Sequence, residues 1–105
     1  QATEMLNEIK NLRQQRSISV DWLAANASLT DANATIFDAA NSFAGCVPGV
    51  NEMLRRQGLL PSNLCLDPEE TLSTGQQREL DRVTATQPTD DAFIAAHLEN
   101  WLTDN

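Results

Sequence analysis

Apolar residues recur every three or four positions along most of this chain, which is the spacing of one face of an α-helix. The first such segment covers residues 3–16, with Thr3 placed as its N-cap and charged residues away from the apolar face. The apolar face comprises Met5, Leu6, Ile9 and Leu12. The pattern therefore predicts an amphipathic helix at the start of the chain.

Two further helices are predicted before the first cysteine, and the start of this stretch is ambiguous. SISV alternates like a short strand, whereas DWLAANA after it has helical spacing. We predict a helix from about Ser19, with a strand at 18–20 as the alternative. A separate helix is predicted from a cap at Thr30 or Asp31, with a left-handed stop at Gly45.

The segment after Gly45 contains a strong pair of helix start and stop signals. Pro48 can open a helix, because its missing N–H costs nothing in a first turn, and Gly58 can close it. We therefore predict a helix over 48–57. Leu59 and Leu60 are expected to fold back over the core.

Three more helix starts follow in the second half of the chain. Asp67 is predicted to cap a short helix, and Ser73 forms a capping box with Gln76 for a helix over 74–85. A last helix is predicted from the acidic segment 89–91. Its apolar stripe consists of Phe93, Ile94, His97, Leu98, Trp101 and Leu102.

These elements predict an all-α fold, a compact orthogonal bundle of five or six short helices. With 105 residues the chain is expected to form one domain. Its first residue is Gln1 rather than Met, which is typical of a processed product or of a domain excised from a longer protein. The predicted core comprises Leu6, Ile9, Leu12, Trp22, Ile36, Phe37, Phe43, Val50, Met53, Leu54, Leu80, Phe93, Leu98 and Trp101.

The net charge of the chain restricts the kinds of molecule that it is expected to bind. Seven Lys and Arg face fifteen Asp and Glu, for a formal net charge of -8, so the long-range field repels nucleic acid and anionic membranes. No apolar run approaches the roughly 20 residues that cross a bilayer. We therefore expect a soluble, cytoplasmic chain that binds proteins, either a larger domain or its own copies, and neither nucleic acid nor membrane.

The two cysteines, Cys46 and Cys65, are predicted to be small buried free thiols, with a single disulfide as the alternative. His97 is the one histidine, so a metal site lacks ligands, and a packing role for this side chain is expected. We predict no metal, no cofactor and no catalytic residue. The paired acids at 69–70 and 90–91 are interpreted as first-turn residues that favour the helix dipole.

The candidate functional residues are those of a protein interface. The densest positive charge is at Arg55 and Arg56, which are expected on a solvated helix face or in ion pairs, within the fold or across a subunit boundary. The apolar end of the last helix is either core or a docking surface. The candidate interface residues are Arg55, Arg56, Phe93, His97, Trp101 and Leu102.

Four motifs follow one another within residues 29–102. They are AANxFAGCxPGxNExLRRQGLL from Ala39, CLDPEETLSxGQ from Cys65, LDRV from Leu80 and DDAFxAAHLENWL from Asp90. Together they resemble the C-terminal region of a bacterial subgroup of dihydrodipicolinate synthase-like proteins, which belong to the Schiff-base aldolases. In the second motif, Thr74 stands where proline is expected.

The resemblance implies a (β/α)8 barrel followed by extra helices, with a lysine that forms an imine with a keto acid and a tyrosine that relays protons. This chain has no tyrosine, and its one lysine, Lys10, lies on the polar side of the first predicted helix. A barrel needs about 200 residues or more. The chain would therefore correspond to the helical tail of such a lyase, and no catalytic residue is carried over.

Two functions are expected from these observations. In the first, the chain is a non-catalytic helical appendage that packs on an aldolase-like barrel or mediates assembly into an oligomer. In the second, it is an independent acidic adaptor that binds a protein partner beside its last helix.

Overall fold

The computed structural model of the chain describes residues 2–86 and 91–103. Throughout these residues the regular structure is helical, which confirms the predicted all-α class. The helices are α1 (Ala2–Leu12), α2 (Asp21–Ile36), α3 (Cys46–Arg56), α4 (Gln76–Thr86) and α5 (Asp91–Leu102), with one 3₁₀ turn, η1 (Ala39–Asn41), between α2 and α3.

Helix α2 is one continuous helix of 16 residues, and the predicted break at Thr30 or Asp31 is wrong. Alanine-rich surroundings favour continuation of the helix, because alanine has the highest helix propensity. Asp31 pairs with Arg82 of α4 instead of capping a new helix. The alternative strand at 18–20 is also absent, since these residues form an irregular segment that leads into α2.

The connection between α2 and α3 turns sharply through left-handed backbone. Asp38, Ser42 and Phe43 have φ angles of 57°, 53° and 65°. Gly45, the predicted left-handed stop, has φ of −96° and precedes α3 directly. The helical pattern that continued to Phe43 in the sequence is therefore interrupted at Asp38.

Helix α3 begins two residues before Pro48 and ends where the sequence predicted. Gly58 has φ of 81°, and its N–H donates to the carbonyl of Arg55 at 3.0 Å. The Leu59 N–H donates to the Leu54 carbonyl at 2.9 Å, which completes a hydrogen-bonded C-terminal cap. The Gly58 stop signal is confirmed.

The segment between α3 and α4 is mostly irregular. Asp67 accepts a hydrogen bond from the Glu69 N–H at 3.0 Å, so its capping role is correct, but the predicted short helix is a single turn. Helix α4 begins at Gln76, close to the predicted start. The predicted start of the last helix at 89–91 lies partly outside the described residues, and α5 is described from Asp91.

The packed centre consists of α2, α3 and α4, with α2 against both of the others. Leu80 and Val83 are fully enclosed, and Ala32 is buried beside them. Helices α1 and α5 bury no residue in the described parts of the chain. The radius of gyration is 16.4 Å, whereas about 13 Å is usual for a domain of this length.

The predicted core is therefore only partly correct. Leu80 is confirmed as a core residue. Half-buried positions among the predicted set are Leu12, Trp22, Ile36, Val50, Met53, Leu54 and Leu98. Exposed positions among that set are Leu6, Ile9, Phe37, Phe43, Phe93 and Trp101. Helical periodicity located these faces correctly, but those of α1 and α5 lack a neighbouring element that covers them.

Candidate interaction site

A cluster of buried polar side chains joins α2, α3 and α4 where they meet. Asp38 is buried and accepts hydrogen bonds from the Gly45 N–H at 2.9 Å and from Nδ2 of Asn41 at 2.8 Å. The Ser73 hydroxyl donates to the same carboxylate. Burial by itself would raise the pKa of Asp38, but the hydrogen bonds from Ser73, Asn41 and Gly45 together lower it below its ordinary value.

Gln76 occupies the other half of this cluster. Its Oε1 accepts the Ser73 N–H at 2.9 Å, and its Nε2 donates to the carbonyls of Gly45 at 3.0 Å and Thr35 at 3.3 Å. The predicted capping box is thus half formed, because the Ser73 hydroxyl binds Asp38 instead of the start of α4. All three elements are held by one satisfied side-chain amide.

Two glycines permit the helices to approach this closely. A Cβ at Gly45 would lie 2.1 Å from Oε1 of Gln76, and a Cβ at Gly49 would lie 2.0 Å from the backbone carbonyl oxygen of Ile36. Both distances are far below van der Waals contact. The close crossing of α3 over the end of α2 therefore depends on these two residues.

A cleft of about 410 Å³ lies beside this cluster, between α2 and the start of α4. Its charged lining includes Asp31, Glu79 and Arg82. Arg82 donates to Asp31 at 2.7 and 2.9 Å and to Glu79 at 2.6 Å, and these contacts lower the pKa of Asp31 and raise that of Arg82. The charged groups of the cleft thus satisfy one another, which favours a structural role.

The candidate interface residues Arg55 and Arg56 form ion pairs within the fold. Both bind the buried carboxylate of Glu52, Arg55 through two hydrogen bonds of 2.7 and 2.8 Å and Arg56 at 3.1 Å. Nδ2 of Asn63 also donates to Glu52, at 2.9 Å. The Arg55 guanidinium, helped by Arg56 and Asn63 and opposed by burial, lowers the pKa of Glu52 to about 2.

Arg56 also connects two helices of the packed centre. Its second guanidinium nitrogen lies 2.7 Å from a carboxylate oxygen of Asp81 on α4. Arg55 remains partly exposed beside it, with 45% of its side-chain surface accessible. Both arginines therefore stabilise the fold through ion pairs. Of the two, only Arg55 exposes much of its charged side chain to solvent.

Helix α5 displays an aromatic stripe on its exposed surface. The Phe93 and His97 rings have centroids 4.3 Å apart, and His97 stacks on Trp101 at 5.4 Å with an interplanar angle of 21°. Phe93 is 59% exposed, Trp101 is 49% exposed, and Leu102 is exposed beside them. His97 Nδ1 lies 2.8 Å from the carbonyl oxygen of Phe93, which fixes the orientation of the imidazole.

The opposite edge of α5 contacts the end of α3. A Cβ placed on Gly58 would lie 3.1 Å from a methyl carbon of Leu98, so Leu98 packs directly over this glycine. Ile94, His97 and Leu98 are half-buried, whereas Phe93 and Trp101 are exposed. The structure thus brings together the four predicted interface residues of α5 and separates them from the ion-paired Arg55 and Arg56.

A second apolar surface involves the first two helices of the chain. A groove of about 390 Å³ runs between α1 and the start of α2, with an apolar lining of Ile9, Leu12, Ile18 and Trp22. Arg13 stands on its rim. Ile18 is 59% exposed, so the groove is open to a partner.

Cys46 and Cys65 are free thiols in the structure, as predicted, but they are only partly buried. Cys65 receives a hydrogen bond from Nδ2 of Asn51 at 3.7 Å and donates to the carbonyl of Asn63 at 3.8 Å. No group of three or more potential metal ligands is found within residues 2–86 and 91–103. Over the same residues, none of the helices has the length and apolarity required to span a bilayer.

Asp38 and Glu52, the two carboxylates buried within residues 2–86 and 91–103, were not predicted as functional residues. For Glu52 a signal was present, since Arg55 and Arg56 follow at helical spacings of three and four residues. The contact between Asp38 and Ser73 had no local signal, because the two residues are 35 positions apart. Comparison of the chain with protein-family models, with curated proteins and with solved structures finds no match.

Proposed function

We propose that this chain is a non-catalytic helical domain that acts by docking on another protein surface. The observation that carries the proposal is the aromatic stripe of α5, in which Phe93, His97 and Trp101 stack on one another and both Phe93 and Trp101 remain exposed. Three large side chains ordered against each other form a preorganised binding surface, because little side-chain entropy is left to lose on association.

The energetics of α5 support a docking role. Burial of a large apolar side chain contributes roughly 1.5–3 kcal/mol, and in this helix Phe93, Trp101 and Leu102 leave much of that contribution unrealised. Contiguous exposed apolar residues on a soluble domain mark interaction sites far more often than single ones do. A partner that covers the stripe would supply the missing burial.

The polar clusters of the packed centre support a scaffold rather than a reaction centre. The carboxylates of Asp38 and Glu52 each accept several hydrogen bonds from side chains or backbone of the same chain. Each cluster holds helices in position, and the lowered pKa values keep both groups ionised acceptors near neutral pH. Such groups are poor general acids at that pH.

Two kinds of partner remain candidates. The resemblance of the motifs from Ala39 to Leu102 favours a dihydrodipicolinate synthase-like barrel, on which the helices would pack as an appendage. The net charge of -8 favours, as the alternative, a separate protein with a basic or amphipathic surface. The first version predicts an aldolase-like companion, and the second predicts an unrelated one.

The test is direct binding with purified components. A partner captured from the source organism would be identified by mass, purified and titrated with the wild-type chain and with a Phe93→Ala/Trp101→Ala double variant. We expect the double variant to bind at least about tenfold more weakly. Leu66→Ala, at a fully exposed leucine outside α5, is the matched control. Equal affinities for all three chains would refute docking through α5.

A further inference from the structure

The distribution of charge along the chain makes its two apolar surfaces complementary. Residues 9–20 contain Lys10, Arg13 and Arg16 and no acidic residue, although the whole chain is strongly acidic. Residues 83–105 contain four acidic residues and no Lys or Arg. The cationic segment borders the groove between α1 and α2, and the acidic segment contains α5.

We propose that α5 of one copy of this chain binds in the α1–α2 groove of a second copy. This inference rests on the proposed docking role of α5 and names its partner. The groove offers an apolar lining of Ile9, Leu12, Ile18 and Trp22 with Arg13 at the rim, and α5 offers exposed aromatic side chains on an acidic segment. Apolar contact supplies the affinity, and the opposite charges orient the two copies.

The charges favour contact between α5 and the α1–α2 groove over contact between two identical surfaces. Two α5 helices, or two α1–α2 grooves, would bring segments of equal sign together, which opposes contact. A groove that meets α5 pairs segments of opposite sign. Because the contact joins different surfaces, it forms either a reciprocal two-fold dimer or a head-to-tail chain.

The experiment uses two variants with matched exposure. Ile18→Glu places a carboxylate in the groove and Phe93→Glu places one on α5, and the two native side chains are equally exposed at 59%. Leu66→Glu adds the same charge at a fully exposed position outside both surfaces. Far-UV circular dichroism checks that each variant keeps the helical content of the wild type.

Sedimentation equilibrium of the full chain measures self-association at low and high salt. We expect the wild type and Leu66→Glu to associate, with weaker association at high salt because screening removes the charge attraction. Ile18→Glu and Phe93→Glu are each expected to associate at least about tenfold more weakly, because an unpaired carboxylate would be buried in the contact.

Two results would overturn the inference: a wild-type chain that stays monomeric, or association unchanged by either variant. If the wild type is monomeric but Phe93→Glu abolishes binding to a purified partner, only self-association fails and the docking function stands. If Phe93→Glu alters neither self-association nor partner binding, the proposed function fails as well.

Discussion

The packed centre of α2, α3 and α4 differs from the terminal helices α1 and α5 in how much of its apolar surface is buried. In the centre, buried carboxylates and close glycine contacts fix how the helices cross, and Leu80 and Val83 fill the small space that remains. The terminal helices have clear apolar faces but leave them mostly exposed. The difference indicates that polar contacts set the geometry of the centre, whereas much of the apolar surface of α1 and α5 stays exposed.

The largest expected loss of stability is at the place where α3 crosses the end of α2. Gly49→Ala would place a Cβ 2.0 Å from the Ile36 carbonyl oxygen, a backbone atom that cannot move away without shifting α2. We expect a loss of about 3 kcal/mol in the free energy of unfolding, measured by urea denaturation. In the control Gly75→Ala, no atom lies within 4 Å of the added Cβ, so only the strain of a φ of 86° remains. Equal losses in the two variants would contradict this account of the crossing.

The second prediction concerns the buried carboxylate of the centre. Glu52→Gln is expected to reduce the free energy of unfolding by roughly 2 kcal/mol at pH 7, because Arg55 and Arg56 lose their charged acceptor. The pKa of Glu52 falls from 4.5 to about 2 in the fold. Its contribution is therefore complete above pH 4.5 and disappears as the pH falls towards 2.

Urea denaturation of both chains across that pH range tests the linkage. The difference between wild type and Glu52→Gln should shrink steadily from pH 4.5 to pH 2. Glu69→Gln, in an exposed turn, is the control and should show little difference at any pH. A difference for Glu52→Gln that stays constant across the range would show that the charge is not responsible.

A smaller effect is expected at the solvent-exposed edge of the centre. Arg82→Ala removes the contacts to Asp31 and Glu79, which are all on accessible side chains. We expect a slight decrease in melting temperature at low salt that vanishes at about 1 M salt, where the Debye length is about 3 Å. Thermal unfolding at the two salt concentrations measures it. A decrease that persists at high salt would mean that Arg82 acts through packing.

The smallest effect on stability is expected at the ends. Phe93→Ala removes a large ring, but the ring is mostly exposed, so the free energy of unfolding of the dilute monomer should change by less than about 0.5 kcal/mol. Leu80→Ala, at the enclosed leucine of the centre, should cost about 3 kcal/mol. Comparable losses at the two positions, measured by urea denaturation, would remove the distinction between centre and ends.

Helix starts and stops that depend on contacts between residues close in sequence could be predicted from the sequence. The stop at Gly58 uses hydrogen bonds to the two preceding turns, and the start of α4 uses the contact between Ser73 and Gln76. The all-α class followed from periodicity in the same way. In each case the partner is close in sequence, so the pattern contains the physical cause.

Structural features that depend on contacts between residues far apart in sequence could not be predicted from the sequence. Asp31 looks like a cap, but Arg82 holds it from 51 residues away and the helix continues through it. The ring of Phe93 repeats at core spacing, yet periodicity cannot show whether a second element covers that face. The proposed interface role of α5 thus rests on the exposure of these residues, which only the fold reveals.

The left-handed residues between α2 and α3 have a consequence for engineering. Phe43 holds φ of 65° although it carries a bulky side chain, a conformation that costs on the order of 1 kcal/mol and that glycine adopts freely. The hydrogen bonds of Asp38 must outweigh this cost in the native chain. Phe43→Gly would remove this backbone strain without altering the helices themselves. The substitution is therefore expected to raise the melting temperature.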